Sequence, residues 1–185
     1  MTNIEIKARF RRTRRSKNTL KKIGAQFEAV ESQVDTYYHV DNGRLKIRER
    51  DTGAPQLIQY FREDKDSPRP SYYEIVHLGS VERVKKTLKK EHGIRAVVRK
   101  KREIWMWRSV RIHFDIVEKL GDFIELEAVM DDQSEMNIRE EEVRRLMVEF
   151  GIEEQHLVKE SYVDLMEREM RKNADSNRDP EQPQK

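Results

Sequence analysis

Four segments of this chain alternate apolar and charged residues so strictly that each, drawn as a strand, has one apolar face and one ionic face. In residues 3–10, Ile4, Ile6, Ala8 and Phe10 share one face, while Asn3, Glu5, Lys7 and Arg9 share the other. In residues 43–50, Arg44, Lys46, Arg48 and Arg50 oppose Leu45 and Ile47; in 109–117, Arg111, His113 and Asp115 oppose Val110, Ile112, Phe114 and Ile116. In 122–129, Glu125 and Glu127 oppose Ile124, Leu126 and Ala128. The polar face of a half-covered sheet usually meets water. A watered face, however, mixes Lys and Glu with Ser, Thr and Gln, whereas these faces hold Arg, Lys and carboxylates with almost no neutral polar residue. A sheet curled so that the ionic faces share one interior satisfies the pattern, provided a charged ligand occupies that interior.

The remaining sequence suits such a curled sheet. Length, at 185 residues, predicts one domain, and the 36% of hydrophobic residues are periodic enough to build a core despite 39% charged residues. The formal charge of +3 is nearly balanced, so the location of the basic residues matters more than their total. No cysteine is present, which excludes disulfides, thiolate catalysis and cysteine-ligated zinc. No run approaches the ~20 apolar residues of a membrane span, and no signal peptide is recognised, so a cytoplasmic protein, monomer or homodimer, is expected.

The first strand is followed by a short helix with Ser16 as its N-cap and Gly24 as its stop. Residues 26–40 read as extended and turn through Asp41-Asn42-Gly43 into the next strand. A strand at 56–63, a loop at 64–71 containing Pro68 and Pro70, and a strand at 71–78 follow. Residues 80–92 change to helical period, capped by Ser80 and ended by Gly93; three more strands lie within 94–107, 109–118 and 122–130. Helices are expected at about 139–150 and 161–172, then a disordered tail over 173–185. The expectation is an α+β domain over 1–172: an eight-stranded antiparallel β-barrel with helices packed outside it. No internal repeat is evident.

Cations ~6.6 to 7 Å apart along a strand can engage successive phosphates, and guanidinium forks bind phosphate oxygens bidentately. Carboxylates in the same space suit a hard divalent cation that bridges to phosphate oxygens. A polyphosphate with Mg²⁺ or Mn²⁺ answers both signs of charge.

These residues resemble the CYTH domain family, named for class IV adenylyl cyclases and thiamine triphosphatases and grouped with the triphosphate tunnel metalloenzymes. The family's first-strand signature, E-x-E-x-K, appears as Asn3-Ile4-Glu5-Ile6-Lys7. Asp35-Thr36-Tyr37-Tyr38, Gly43 to Arg48, Arg62, Lys100, Arg102, Asp115, Gly121, Phe123, Glu125-Leu126-Glu127 and Ser161-Tyr162 follow in order. The resemblance implies a tunnel that binds a triphosphate, with metal ligands Glu5, Asp115, Glu125 and Glu127. It implies triphosphate contacts from Lys7, Lys46, Arg48, Arg62 and Arg102, with Arg9, Lys100, Arg111 and Lys159 as further basic contacts. The resemblance further implies that Glu5, Lys7, Arg48, Arg102 and Glu127 form the catalytic set. Asn3 departs from the signature, offering a carbonyl oxygen but no charge.

The implied activity is metal-dependent hydrolysis of a terminal phosphate from inorganic triphosphate, thiamine triphosphate, a nucleoside triphosphate or a 5′-triphosphorylated RNA. Adenylyl cyclase is the first alternative; class IV cyclases usually carry a His-Phe pair shortly before the signature, which here starts at residue 3. A non-catalytic polyphosphate- or RNA-binding module is the second. The five histidines lack zinc-like spacing, with His113 read as a wall residue. Trp105 and Trp107 are read as packed under a helix, and Arg11 to Arg15 as a solvated turn.

Overall fold

The computed structural model describes residues 2–65, 67–130 and 132–176. Eight antiparallel strands close into a barrel in the order β1-β5-β4-β3-β2-β6-β7-β8. They are β1 (Thr2–Arg9), β2 (Gln26–Tyr38), β3 (Arg44–Arg50), β4 (Gln56–Arg62), β5 (Arg69–His77), β6 (Ile94–Trp107), β7 (Val110–Val117) and β8 (Gly121–Met130). Among the described residues there are also four α-helices: α1 (Arg14–Ile23), α2 (Val81–His92), α3 (Met136–Phe150) and α4 (Tyr162–Ser176). Tight connections force antiparallel pairing, and Gly43, at φ 71°, supplies the left-handed residue of the β2–β3 turn. A side chain there would also meet the Phe61 ring and the Tyr60 carbonyl at 2.7 Å.

The alternation read from sequence sorts the two faces of this barrel. Ile4, Ile6, Ala8, Ile112, Ile124, Leu126 and Ala128 point outward and are buried beneath α3, whose Val143, Leu146, Met147 and Phe150 complete that core. Trp107 is buried in it and Trp105 packs at its edge, as expected of an outer face under a helix. A second apolar cluster joins Val98, Val117, Leu120 and Phe123 to Val163, Leu165 and Met166 of α4. Apolar burial contributes about 25 cal/mol per Å², so hydrophobic stabilisation lies outside the barrel and leaves its interior free for charge.

Several element boundaries and caps differ from expectation, among them the start of α3 at Met136 and not at about 139. The N-cap of α1 is Thr13, not Ser16; Ser16 is the third helical residue and bonds back to the Thr13 backbone, closing a capping box. β5 begins at Arg69, so Pro70 lies within a strand, opposite Ile4. Ser80 precedes α2 without a side-chain cap bond. α4 continues through Ser176, four residues into the expected tail, whose residues 177–185 lie outside the described residues.

Candidate functional site

The ionic faces enclose a cavity of about 540 Å³ inside the barrel. Among the described residues, eight cationic side chains line it: Lys7, Lys46, Arg48, Arg50, Arg62, Lys100, Arg102 and Arg111. Of the described residues, five carboxylates, Glu5, Glu28, Glu31, Glu125 and Glu127, share it.

Two neighbouring pairs of strands build the same device. On β3, Lys46 and Arg48 face Asp35 of β2, which stands opposite Arg48 in the register. Asp35 accepts Arg48 Nε at 2.7 Å, Arg48 Nη2 at 2.8 Å and Lys46 Nζ at 2.9 Å. On β6, Lys100 and Arg102 face Asp115 of β7, opposite Arg102 in the register. Asp115 accepts Arg102 Nε at 2.7 Å, Arg102 Nη2 at 2.6 Å and Lys100 Nζ at 3.3 Å. Each aspartate is 1% exposed and fixes a guanidinium in the bidentate geometry, orienting the rest of the fork. Burial pushes both carboxyls up, but the cations outweigh it: Asp35 is held well below the usual range and Asp115 at about 2. Burial and the neighbouring Arg48 pull the Lys46 ammonium down to about 7, and burial with Arg102 beside it also lowers Lys100.

The carboxylates occupy β1 and β8, three or four strands around the barrel from β2 and β3 and therefore across the lumen from them. Glu5 is registered with Glu127, and Lys7 with Glu125. Glu5 is ion-paired with Arg62, Glu125 with Arg102 and Glu127 with Arg111. Burial and the nearby Glu5 raise the Glu127 carboxyl against the pull of Arg111, whereas burial of Glu125 is outweighed by Arg102 and Lys7. Asn3 is 1% exposed and donates its amide to Glu127, leaving Asn3 Oδ1 buried without a hydrogen-bond partner. An orphaned carbonyl oxygen beside lumen carboxylates is a donor set that fits a hard divalent cation. The carboxylates are drawn onto cations here, and no group of three or more acidic or histidine ligands is assembled for a metal among the described residues.

The C-terminal segment spans one end of the barrel. Val158 donates its backbone N–H to Lys7, Arg69 Nη2 donates to the Lys159 carbonyl at 3.3 Å, and Lys7 Nζ donates to the Glu160 carbonyl at 3.0 Å. Tyr162 donates its hydroxyl to Asp115 at 2.8 Å, while its ring lies under Lys7 and Lys100 at 4.2 and 4.9 Å. Asp164 then receives Arg44 of β3 and Arg95 of β6. This strap holds Lys7 in place; burial and the nearby Arg62 bring its ammonium down to about 7.

Of the expected basic contacts, Lys7, Lys46, Arg48, Arg62, Lys100, Arg102 and Arg111 line the cavity. Arg9 does not: it is exposed at the end of β1, donating to the Leu120 carbonyl at 2.8 Å over the Phe123 ring. Lys159 is also outside, because the strap turns its backbone carbonyl inward and its side chain to solvent. Among the expected metal ligands Glu5, Glu125 and Glu127 line the lumen, whereas Asp115 lies behind Arg102 with its oxygens already paired. His113 is a wall residue, kept neutral as burial and Arg102 lower its pKa, with Nδ1 unpartnered. Sequence reasoning missed Asp35 as a site residue, and missed the Tyr162 ring under two ammoniums. The signal was a Lys-x-Arg pair occurring twice, at 46–48 and 100–102, each beside a strand carrying an inward aspartate.

The model of the CYTH domain matches residues 1–162. A protein of Methanocaldococcus jannaschii named "Putative adenylate cyclase" is 28% identical over 174 residues, covering 89% of this chain and 98% of that one. A solved structure from Pyrococcus horikoshii superposes with a TM-score of 0.77 at 23% identity, covering 88% of this chain and 98% of its own. A Hippeastrum protein, described as a putative adenylyl cyclase that reveals a dominant triphosphatase activity, superposes with a TM-score of 0.60 at 13% identity, covering 90% and 96%.

Proposed function

The chain belongs to the CYTH domain family, and from that premise we propose that it is a metal-dependent triphosphatase releasing the terminal phosphate of a triphosphate substrate. The observation that carries this reading is the pair of Lys-x-Arg clamps, each locked by a buried aspartate, sharing one lumen with the carboxylates of β1 and β8. Asp35 and Asp115 take one edge of each guanidinium, so Arg48 and Arg102 meet phosphate oxygens without reorganising. Lys46, Lys100 and Lys7 supply ammonium donors along the phosphate chain, with Arg62 and Arg111 on the adjoining walls. These groups offset the negative charge that builds on the bridging oxygen as it departs with the leaving group. Glu5, Glu125 and Glu127, with Asn3 Oδ1, would hold Mg²⁺ or Mn²⁺; when bound, the ion supplies Lewis acidity and an activated water. A polyanion competes with the three glutamates as counter-charge for Arg62, Arg102 and Arg111 and so releases the carboxylates.

Inorganic triphosphate, thiamine triphosphate, ATP and a 5′-triphosphorylated RNA, presented separately with Mg²⁺ or Mn²⁺, test the reading. Orthophosphate release that Glu127→Ala abolishes is expected. Full metal-dependent turnover by Glu127→Ala would remove the carboxylates from the site.

One observation favours a second reading. Ile75, Ile104 and Met106 line the cavity beside Arg111 and Glu28, a setting for the organic part of a nucleotide. A relative also carries an adenylate cyclase name. Cyclic AMP with pyrophosphate from ATP would establish cyclisation in place of hydrolysis. Binding of every triphosphate without turnover would leave a recognition module.

A further inference from the structure

Overall charge is only +3, yet residues 11–22 contain seven Lys and Arg and no Asp or Glu. Folding concentrates that charge on one surface. Ser16, Thr19 and Leu20 of α1 are buried, and Ile23 packs against the main core. Arg14, Arg15, Lys17, Lys21 and Lys22 are left on the exposed side of a helix about 15 Å long. Two neighbouring acids neutralise only the margins: Arg12 is paired with Glu103 and Lys22 with Glu149. Arg11, Arg14, Arg15, Lys17 and Lys21 pair with no acidic group among the described residues. None of residues 11–22 lines the tunnel, so this surface is separate from the site described above.

We propose that the outer face of α1, continued by Phe27, is a binding surface for single-stranded nucleic acid, with the basic side chains on phosphates and the ring under a base. Phe27 lies just beyond α1, is 55% exposed, and is held edge-on to Trp105 at 5.3 Å. Sequence-tolerant single-strand binding combines a basic track with an exposed aromatic ring in this way. A bilayer suits the helix poorly, because an interfacial helix inserts its apolar side, and here Leu20 is 1% exposed within the core. The proposal does not depend on the triphosphatase reading.

Fluorescence anisotropy with a labelled, 5′-hydroxyl, single-stranded RNA tests it, since this probe lacks the group the tunnel reads. With five cations engaged, log affinity should fall against log salt with a slope of about −3.5, roughly a hundredfold between about 50 and 200 mM. Combined Arg14→Gln, Arg15→Gln, Lys17→Gln and Lys21→Gln should lower affinity at least about tenfold and flatten the slope to about −0.7. The Phe27→Ala variant should lose about fivefold or more. Arg102→Ala, inside the tunnel, should bind this RNA as the parent does. Circular dichroism checks that each variant is folded. Absence of RNA binding, undiminished binding by the quadruple variant or by Phe27→Ala, or binding to phosphatidylserine vesicles in place of RNA would each overturn the proposal.

Discussion

Asp35 offers a substrate nothing directly, because Arg48 and Lys46 already occupy its oxygens. Its effect is to keep two buried cations charged and aimed. Asp35→Asn should therefore cost about 3 kcal/mol of stability, the usual effect of leaving a buried ion without its partner. Inorganic triphosphate should restore part of the lost melting temperature, since its oxygens replace the missing counter-charge; an equal deficit with and without triphosphate would contradict this. Lys46, held to about 7 by burial and Arg48, gives a pH dependence. Between about 7 and its unfolded value near 10.5, the folded chain binds fewer protons than the unfolded one, so the ligand-free protein gains stability as pH rises there. Triphosphate favours the ammonium, so its affinity should strengthen as pH falls from about 9 towards 7, with proton uptake visible by calorimetry in buffers of different ionisation enthalpy and diminished in Lys46→Met. Asn3→Glu should lower the Mn²⁺ concentration needed for half-maximal activity, and an unchanged titration would show that Asn3 Oδ1 already serves. That Lys7, Arg48 and Glu127 face the lumen was legible because strand alternation fixes which face a residue takes. Arg9 and Lys159 were misread because alternation and motif order do not reveal where a strand leaves the barrel or which way a strap turns.

At the scale of elements, the eight strands were legible from alternation and turn residues, and Gly24 and Gly93 did end α1 and α2. The α1 cap was misplaced by three residues because Thr13 and Ser16 are both good caps, and only folding decides which takes the extended backbone of an N-cap. The strap was not legible, since its bonds reach from residues 158–164 to five different strands, a long-range arrangement no local pattern encodes. Asp164, which joins Arg44, Arg95 and Ser161, is its latch. Asp164→Ala should speed hydrogen exchange throughout α4 while β7 and β8 keep their protection, and should weaken triphosphate binding through a loosened Lys7. Unchanged exchange in α4 would show that the apolar contacts of Val163 and Leu165 suffice to hold the helix.

Taken whole, the molecule keeps its hydrophobic core between barrel and helices and its charge inside the barrel. Among the described residues, eight cations and five carboxylates share the lumen, with Asp35 and Asp115 set behind them, so the tunnel is close to self-neutral. It resembles a mixed bed of ion exchanger, with anion- and cation-exchanging groups packed together and each serving as the other's counter-ion. Such a bed releases both sets of sites at once when a matched salt enters, and resists loading by either ion alone. Mg²⁺ and inorganic triphosphate should therefore bind cooperatively, each tightening the other by the same factor, about fivefold or more. Titrating each in the absence and presence of the other measures that factor; independent affinities would mean that the two sets of charges do not share one exchange.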